Sequence, residues 1–234
     1  MNDTNRKVAV VTGASRGLGA ALSRQLVRDG WAVMIDARGA KSLDTVRGDL
    51  AALGKVVAIP GDVADPGHRQ ALAEAARELG GVDLVVNNAS ILGPSPQPVL
   101  LDYPLDVFEQ VYKVNLFAPL GILQTLKPFL KDKAMVINIT SDAGVEAYPG
   151  WGGYGSSKAA LEHLSAVLAT EMPDWRIYWV DPGDMQTQMQ QEAFPNEDIS
   201  DRLPPEAVVP GFLKLINGDY ASGRYKAKEL SGLE

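Results

Sequence analysis

The chain has 234 residues and carries 22 Lys and Arg against 29 Asp and Glu, a formal charge of −7. That balance argues against a general nucleic-acid binder, which needs clustered cations. No cysteine is present, which excludes disulfides, thiolate metal sites, Fe–S clusters and a cysteine nucleophile.

A hydrophobic content of 46% beside 22% charged residues predicts a packed core, and the length suits one α/β domain over residues 1–234. The start, Met1 to Lys7, is polar, and no run approaches the ~18 apolar residues of a membrane span. A cytoplasmic protein without membrane contact is expected; Leu233-Glu234 carries no weight.

Short β-branched runs alternate with amphipathic stretches along the chain. Lys7–Thr12, Ala32–Asp36, Val56–Pro60, Leu84–Asn87, Met135–Thr140 and Ile177–Val180 are apolar throughout rather than alternating, as in parallel strands covered on both faces. Leu18, Leu22 and Leu26 mark the first helical face; Leu72, Ala75, Ala76 and Leu79 mark another that stops at Gly80-Gly81. Val107–Leu130 and Ser157–Met172 read as two long helices. The alternation predicts a doubly wound, Rossmann-type parallel sheet of six to seven strands with right-handed crossovers. Two long loops, Asn88–Leu105 and Pro182–Pro205, would emerge at the carboxyl ends of strands, where such sheets bind ligands.

Thr12-Gly13-Ala14-Ser15-Arg16-Gly17-Leu18-Gly19 joins the first strand to the first helix. Glycines let the backbone approach a diphosphate, and the helix start offers unpaired N–H groups and partial positive charge. The same stretch contains G-x-S-x-G, a serine-hydrolase elbow, but that chemistry needs a late histidine, and only His68 and His163 exist. The triphosphatase loop G-x-x-x-x-G-K-[ST] is absent.

Tyr154 and Lys158 lie one helical turn apart. A unit positive charge at ~4 Å, with an effective dielectric of ~20, is worth about 4 kcal/mol, enough to lower a phenol substantially from its usual ~10. Tyr154 is thereby a candidate general acid–base. Alone the pair is a common coincidence in a chain with seven tyrosines; its position among other motifs gives it meaning.

The chain resembles the single-domain short-chain dehydrogenase/reductase family over roughly Lys7 to Ile216. Thr12–Gly19 matches T-G-x-x-x-G-x-G, and Asp62-Val63 the adenine-contacting pair. Asn87-Asn88-Ala89-Ser90 matches N-N-A-G except at its last residue. Asn115, Ser141, Tyr154 and Lys158 fall where the family has its catalytic tetrad, and Pro182-Gly183-Asp184-Met185-Gln186-Thr187 matches P-G-x-x-x-T.

The resemblance implies a dinucleotide over Gly13, Ser15, Arg16, Gly17, Leu18 and Gly19, with Asn88, Ala89, Pro182, Gly183, Met185 and Thr187 further along it. It also implies Lys158 on the nicotinamide ribose, lowering Tyr154; Tyr154 protonating a carbonyl oxygen; Ser141 hydrogen-bonding that oxygen; and Asn115 holding a water that relays protons to Lys158. No metal is implied.

By the family pattern the acid that would read a ribose 2′-OH falls at Ala37, with Arg38 following and Arg16 nearby. NADP(H) is therefore expected over NAD(H), with Asp36 as the dissenting residue. Trp151, Met189, Tyr148, Val145, Ile91, Met185 and Phe194 are candidate apolar lining for a small ketone or secondary alcohol. Two alternatives stand beside this reductase: a dinucleotide-binding redox sensor without turnover, and a dehydratase or epimerase of the same family. The Ser222–Leu230 segment lacks the family's V-D-G-G ending, which puts a last strand in doubt. A homo-oligomer, dimer or tetramer, is expected through the two long helices.

Overall fold

A computed structural model describes residues 6–233, leaving the predicted polar start, Met1 to Asn5, and Glu234 outside it. Seven strands are present: β1 (Val8–Val11), β2 (Ala32–Ala37), β3 (Val56–Pro60), β4 (Val82–Asn87), β5 (Leu130–Ile139), β6 (Arg176–Asp181) and β7 (Gly223–Lys226). They form one sheet in the order β3-β2-β1-β4-β5-β6-β7, with every neighbouring pair parallel. The order reverses between β1 and β4, and ligand crevices open at such a switch point.

Nine helices surround the sheet among the described residues: α1 (Gly17–Arg28), α2 (Ala40–Ala51), α3 (Pro66–Glu78), α4 (Leu105–Tyr112), α5 (Ala118–Leu126), α6 (Gly152–Glu171), α7 (Gln188–Ala193), α8 (Pro205–Asn217) and α9 (Ala227–Ser231). Alternate strand residues enter two different cores. Val11, Val33, Ile35, Val86 and Ile137 pack with Leu22 and Leu26 of α1 and Phe212 of α8. Val10, Met34, Val85 and Val136 pack on the other face with Leu72 of α3 and Ile122 of α5. This is why the strands read as unbroken apolar runs: both of their faces are covered.

Three local differences from the sequence reading have physical causes. The stretch predicted as one helix from Val107 is interrupted: α4 runs into a π-helical turn, Lys113–Phe117, before α5 begins. Pro119 has no N–H to close the ordinary bond onto the Asn115 carbonyl, and its ring crowds that carbonyl, so the helix widens there. Helix α6 begins at Gly152 rather than Ser157, and its glycines mark close approach rather than weak helix. A Cβ on Gly155 would lie 2.5 Å from the Ala143 carbonyl oxygen. Finally, β7 forms without the V-D-G-G ending, pairing Tyr178 with Gly223 through Asp181 with Lys226. None of the helices among the described residues is long and apolar enough to cross a membrane.

Candidate active site

A crevice of about 850 Å³ runs along the carboxyl ends of β1, β2, β4, β5 and β6. At one end stands the glycine loop. Gly13 has φ +65°, and a Cβ on it would fall 2.8 Å from the Ala89 Cα; only glycine tolerates both conditions. Gly13, Ser15, Arg16, Gly17 and Leu18 line the crevice. Gly19 does not. It closes the loop behind the lining, where a Cβ would meet the Asn88 Nδ2 at 2.6 Å. Asn88 in turn donates from Nδ2 to the carbonyls of Thr12 and Gly13, at 2.8 and 3.2 Å. Arg16, at the N-cap of α1, makes no side-chain cap, so the first amides of the helix remain available to an anion.

The end of β2 separates two residues that sequence alone left in competition. Asp36 is buried, accepting from the Gly13 amide at 2.8 Å and meeting His68 Nε2 at 3.3 Å. Burial raises its carboxyl above the usual range, with the His68 and Gly13 hydrogen bonds working against that. Arg38 is exposed on the crevice wall beside Ala37 and Ser42, with no ion-pair partner among the described residues. Asp62 and Val63 follow on the same wall, Asp62 accepting from the Ala64 amide at 2.9 Å.

Across the crevice, Pro182, Gly183, Met185 and Thr187 form the facing lip. Thr187 caps α7 by accepting from the Gln190 amide at 3.2 Å, Met185 bridges to Leu203, and Arg16 donates to the Gln188 carboxamide oxygen. The long loop after β6 thus folds back over the glycine loop.

The other end of the crevice gathers Ser141, Tyr154 and Lys158. Lys158 is 2% exposed; its Nζ donates to the Ile139 carbonyl at 2.7 Å and sits 5.4 Å from the Tyr154 ring centre. Burial lowers this amine to about 7, opposed by the negative charge of Glu162. Tyr154 is shifted the other way from the sequence expectation. Burial raises its phenol above the ordinary value, Asp181 and Asp142 add to that, and the hydroxyls of Ser90 and Ser141 pull against it. Desolvation outweighs the cationic neighbour because the amine is itself buried and no longer firmly charged near neutrality. Ser141 donates to Asp142 Oδ1 at 2.9 Å and accepts from the Ala143 amide at 3.2 Å.

Asn115 lies behind the crevice wall rather than in it. Its Oδ1 accepts from Ser90 Oγ at 3.0 Å and the Ile91 amide at 2.9 Å, while Nδ2 donates to the Ile91 carbonyl at 2.9 Å and Ser157 Oγ at 3.0 Å. Both lone pairs and both protons of the side-chain amide are engaged, and these bonds tie the loop after β4 to α6. Ser90, which the motif comparison marks only as a departure from glycine, is the residue sequence reasoning missed: its hydroxyl lies between Asn115 and the Tyr154 phenol.

Beside Tyr154, the rings of Trp151 and Tyr154 meet edge-to-face at 5.8 Å, and Trp151 lies 5.9 Å from Phe194. Leu92, Met189 and Ala193 complete an apolar cluster around the phenol. Ile91 and Met185 also line the crevice, whereas Val145 and Tyr148 do not, being 63% and 40% exposed. Tyr148 donates to Glu146 at 2.8 Å outside it. Among the described residues no group of three or more His, Asp or Glu side chains could hold a metal ion.

The residues present suit a dinucleotide: tight glycines and open helix amides at one end, a free cation beyond them, and a buried amine–phenol pair at the other. Sheet order and crevice define a Rossmann-type fold with its cavity at the switch point. The sequence model of the short chain dehydrogenase family matches residues 7–198, and the chain belongs to that family. It is similar to a benzil reductase ((S)-benzoin forming) of Saccharomyces cerevisiae, 33% identical over 92% of this chain and 82% of the relative. Its structure is similar to that of a short chain dehydrogenase from Pseudomonas syringae, with a TM-score of 0.89 and 29% identity over 97% of each chain. A short chain dehydrogenase of Escherichia coli solved with NADPH superposes with a TM-score of 0.88 and 27% identity, covering 97% of this chain and 99% of the other.

Proposed function

We propose that the protein is an NADP(H)-dependent carbonyl reductase acting on ketones with apolar flanks, with Tyr154 as the general acid. The observation that carries this reading is the convergence of Ser141, Tyr154 and Lys158 at one end of a crevice whose other end is the Gly13–Gly17 loop and Arg38. A bound reduced nicotinamide would supply the hydride.

The protein's own part is proton supply and orientation. A phenol held protonated by burial is a proton donor at neutral pH, which suits reduction of a carbonyl more than oxidation of an alcohol. As its proton leaves, the phenolate formed is countered by the ammonium of Lys158, whose affinity for a proton rises when an anion appears beside it. The Ser141 hydroxyl can turn from Asp142 to the carbonyl oxygen. Asn115 acts by holding Ser90 and Ile91 in place. Trp151, Leu92 and Met189 exclude water and favour an apolar or aromatic substituent on the substrate. The E. coli relative solved with NADPH and the benzil reductase support, respectively, the cofactor and the aryl-ketone class.

NADP(H) is favoured over NAD(H) because Asp36 is committed to Gly13 and His68, leaving Arg38 as the group able to read the ribose 2′ position. We further propose that residues 1–234 act as one domain, in the cytoplasm, as a homo-oligomer through the faces bearing exposed Phe117 and Val167. The test is NADPH absorbance against a panel of aryl and alkyl ketones, repeated with Tyr154→Phe. Carbonyl-dependent oxidation lost in the variant, with NADPH binding retained, is expected. Tight binding without turnover of any carbonyl would overturn the reading in favour of a dinucleotide sensor.

A further inference from the structure

Behind the amine–phenol pair lies a group of charges that the proposed reaction does not use. Glu162 follows Lys158 by one turn of α6, so Tyr154, Lys158 and Glu162 lie along one helix face. Glu162 accepts from Thr140 Oγ1 at 2.7 Å, and from Arg224 Nε at 3.0 Å to one oxygen and 3.2 Å to the other. Arg224 comes from the edge strand β7. Its Nη2 donates to the Ser141 carbonyl at 3.3 Å and to Asp181 Oδ2 at 3.4 Å. One guanidinium therefore joins α6, the end of β5 and the end of β6, reaching the main chain of the site residue Ser141.

Half-buried ion groups with this many partners are costly to assemble and weak evidence for stability alone. Their placement gives them another use. A lysine that is 2% exposed and hydrogen-bonded to one carbonyl is held charged only if a negative group stands near it.

We propose that Glu162, held by Thr140 and Arg224, is a positioning residue whose charge keeps the Lys158 ammonium protonated in its buried place. This rests on the reading of Lys158 as part of the reductase site. The charged and titratable groups around Lys158 are Tyr154 and Glu162 on α6, Asp142 beyond β5, Asp181 at the end of β6 and Arg224 on β7. Glu162 raises the proton affinity of the amine, and Asp181 and Asp142 raise that of the phenol. Arg224 has two opposed effects: it fixes Glu162, and its own positive charge tempers the help that Glu162 gives.

The sign of each change follows. Glu162→Gln removes the favourable charge, so Lys158 loses its proton at lower pH; an opposite charge one helical turn away on the same face can be worth about one pH unit. Arg224→Gln removes a positive charge, so Lys158 keeps its proton to higher pH, provided Thr140 still holds Glu162. A scaffolding role alone moves neither midpoint.

The experiment follows the 13Cε signal of Lys158 in lysine-labelled full-length protein without dinucleotide, assigned by its loss in Lys158→Arg. The expected midpoint is near 7 in the parent, lower by about one unit in Glu162→Gln and restored in Glu162→Asp. The basic limb of kcat/KM should move in the same direction. Unchanged midpoints in both Glu162→Gln and Arg224→Gln overturn the proposal. Should Glu162→Gln fail to fold, Thr140→Val, which loosens Glu162 without removing it, must lower the midpoint, and its failure to do so counts equally against it. Absence of carbonyl reduction in the parent would refute the reductase reading while leaving the titration to decide this one.

Discussion

Replacing Arg38 by alanine isolates the group assigned to cofactor choice. Arg38 is exposed at the carboxyl end of β2, and the acid two residues before it is turned inward, 2.8 Å from the Gly13 amide and 3.3 Å from His68. No other charged side chain of β2 competes for the ribose, and the second cation lining this end of the crevice, Arg16, is already hydrogen-bonded to Gln188. A guanidinium bonded to a phosphate contributes about 1.5–3 kcal/mol. Because Arg38 lies in solvent, screening at 0.15 M salt places the loss near the lower end, about 10-fold in KM for NADPH. The effect on KM for NADH, which has no 2′-phosphate, is expected to stay within about 2-fold, with kcat unchanged for both. Steady-state kinetics with a single ketone and both dinucleotides, at two ionic strengths, read this directly. The NADPH penalty should shrink as salt rises. Equal losses for NADPH and NADH would refute the reasoning, since the side chain would then act on the shared part of the cofactor or on the loop itself.

Tyr154→Phe should lower kcat by at least about 100-fold with Kd for NADPH little changed, because the proposed general acid is removed and the packing against Trp151 is kept; fluorescence titration and turnover check the two halves. Ser90→Ala should lower kcat modestly and raise the Tyr154 phenol further, since the Ser90 hydroxyl now pulls it down; ultraviolet titration of the phenolate reads the shift. Lys158→Met is expected to stabilise the fold at pH 6 by a few kcal/mol. The folded amine is lowered to about 7, while an unfolded lysine titrates near ~10.4, so unfolding takes up a proton between those values and stability from this group rises with pH across that window. The thermal midpoint gap between parent and variant should therefore be largest below pH 7 and close towards pH 10. Phe117→Glu should shift the particle to a lower mass in sedimentation, the exposed aromatic face having been made charged.

The sheet was legible because its strands are apolar on both faces. Val10 and Val11 point into different cores, and no half-exposed strand could carry both. Element ends were less legible because tertiary contacts set them. Nothing local to Lys113–Phe117 announces a widened turn except Pro119, and its consequence falls four residues upstream, at Asn115. Strand β7 contributes only Gly223–Lys226, a short polar run whose pairing with β6 is set by the register of that neighbour. Its last task, delivering Arg224 to Glu162, involves residues 62 positions apart in the chain, which no local pattern encodes.

Motif order picks out Ser141, Tyr154 and Lys158, which the fold gathers at one end of the crevice, whereas the directions of their proton affinities were not legible. Spacing places Lys158 beside Tyr154 and suggests a lowered phenol, yet that inference counts only the charge and omits the medium. With Lys158 at 2% exposure and Tyr154 at 8%, burial favours each neutral form more than water does, so the amine falls and the phenol rises together. The outcome is a pair in which the phenol holds its proton and the amine is poised near neutrality. Such a pair releases the phenolic proton only when something negative, such as a developing alkoxide, arrives to receive it. Burial, which no count of neighbouring charges includes, is therefore what holds the proton on the phenol, as the proposed role of Tyr154 as general acid requires.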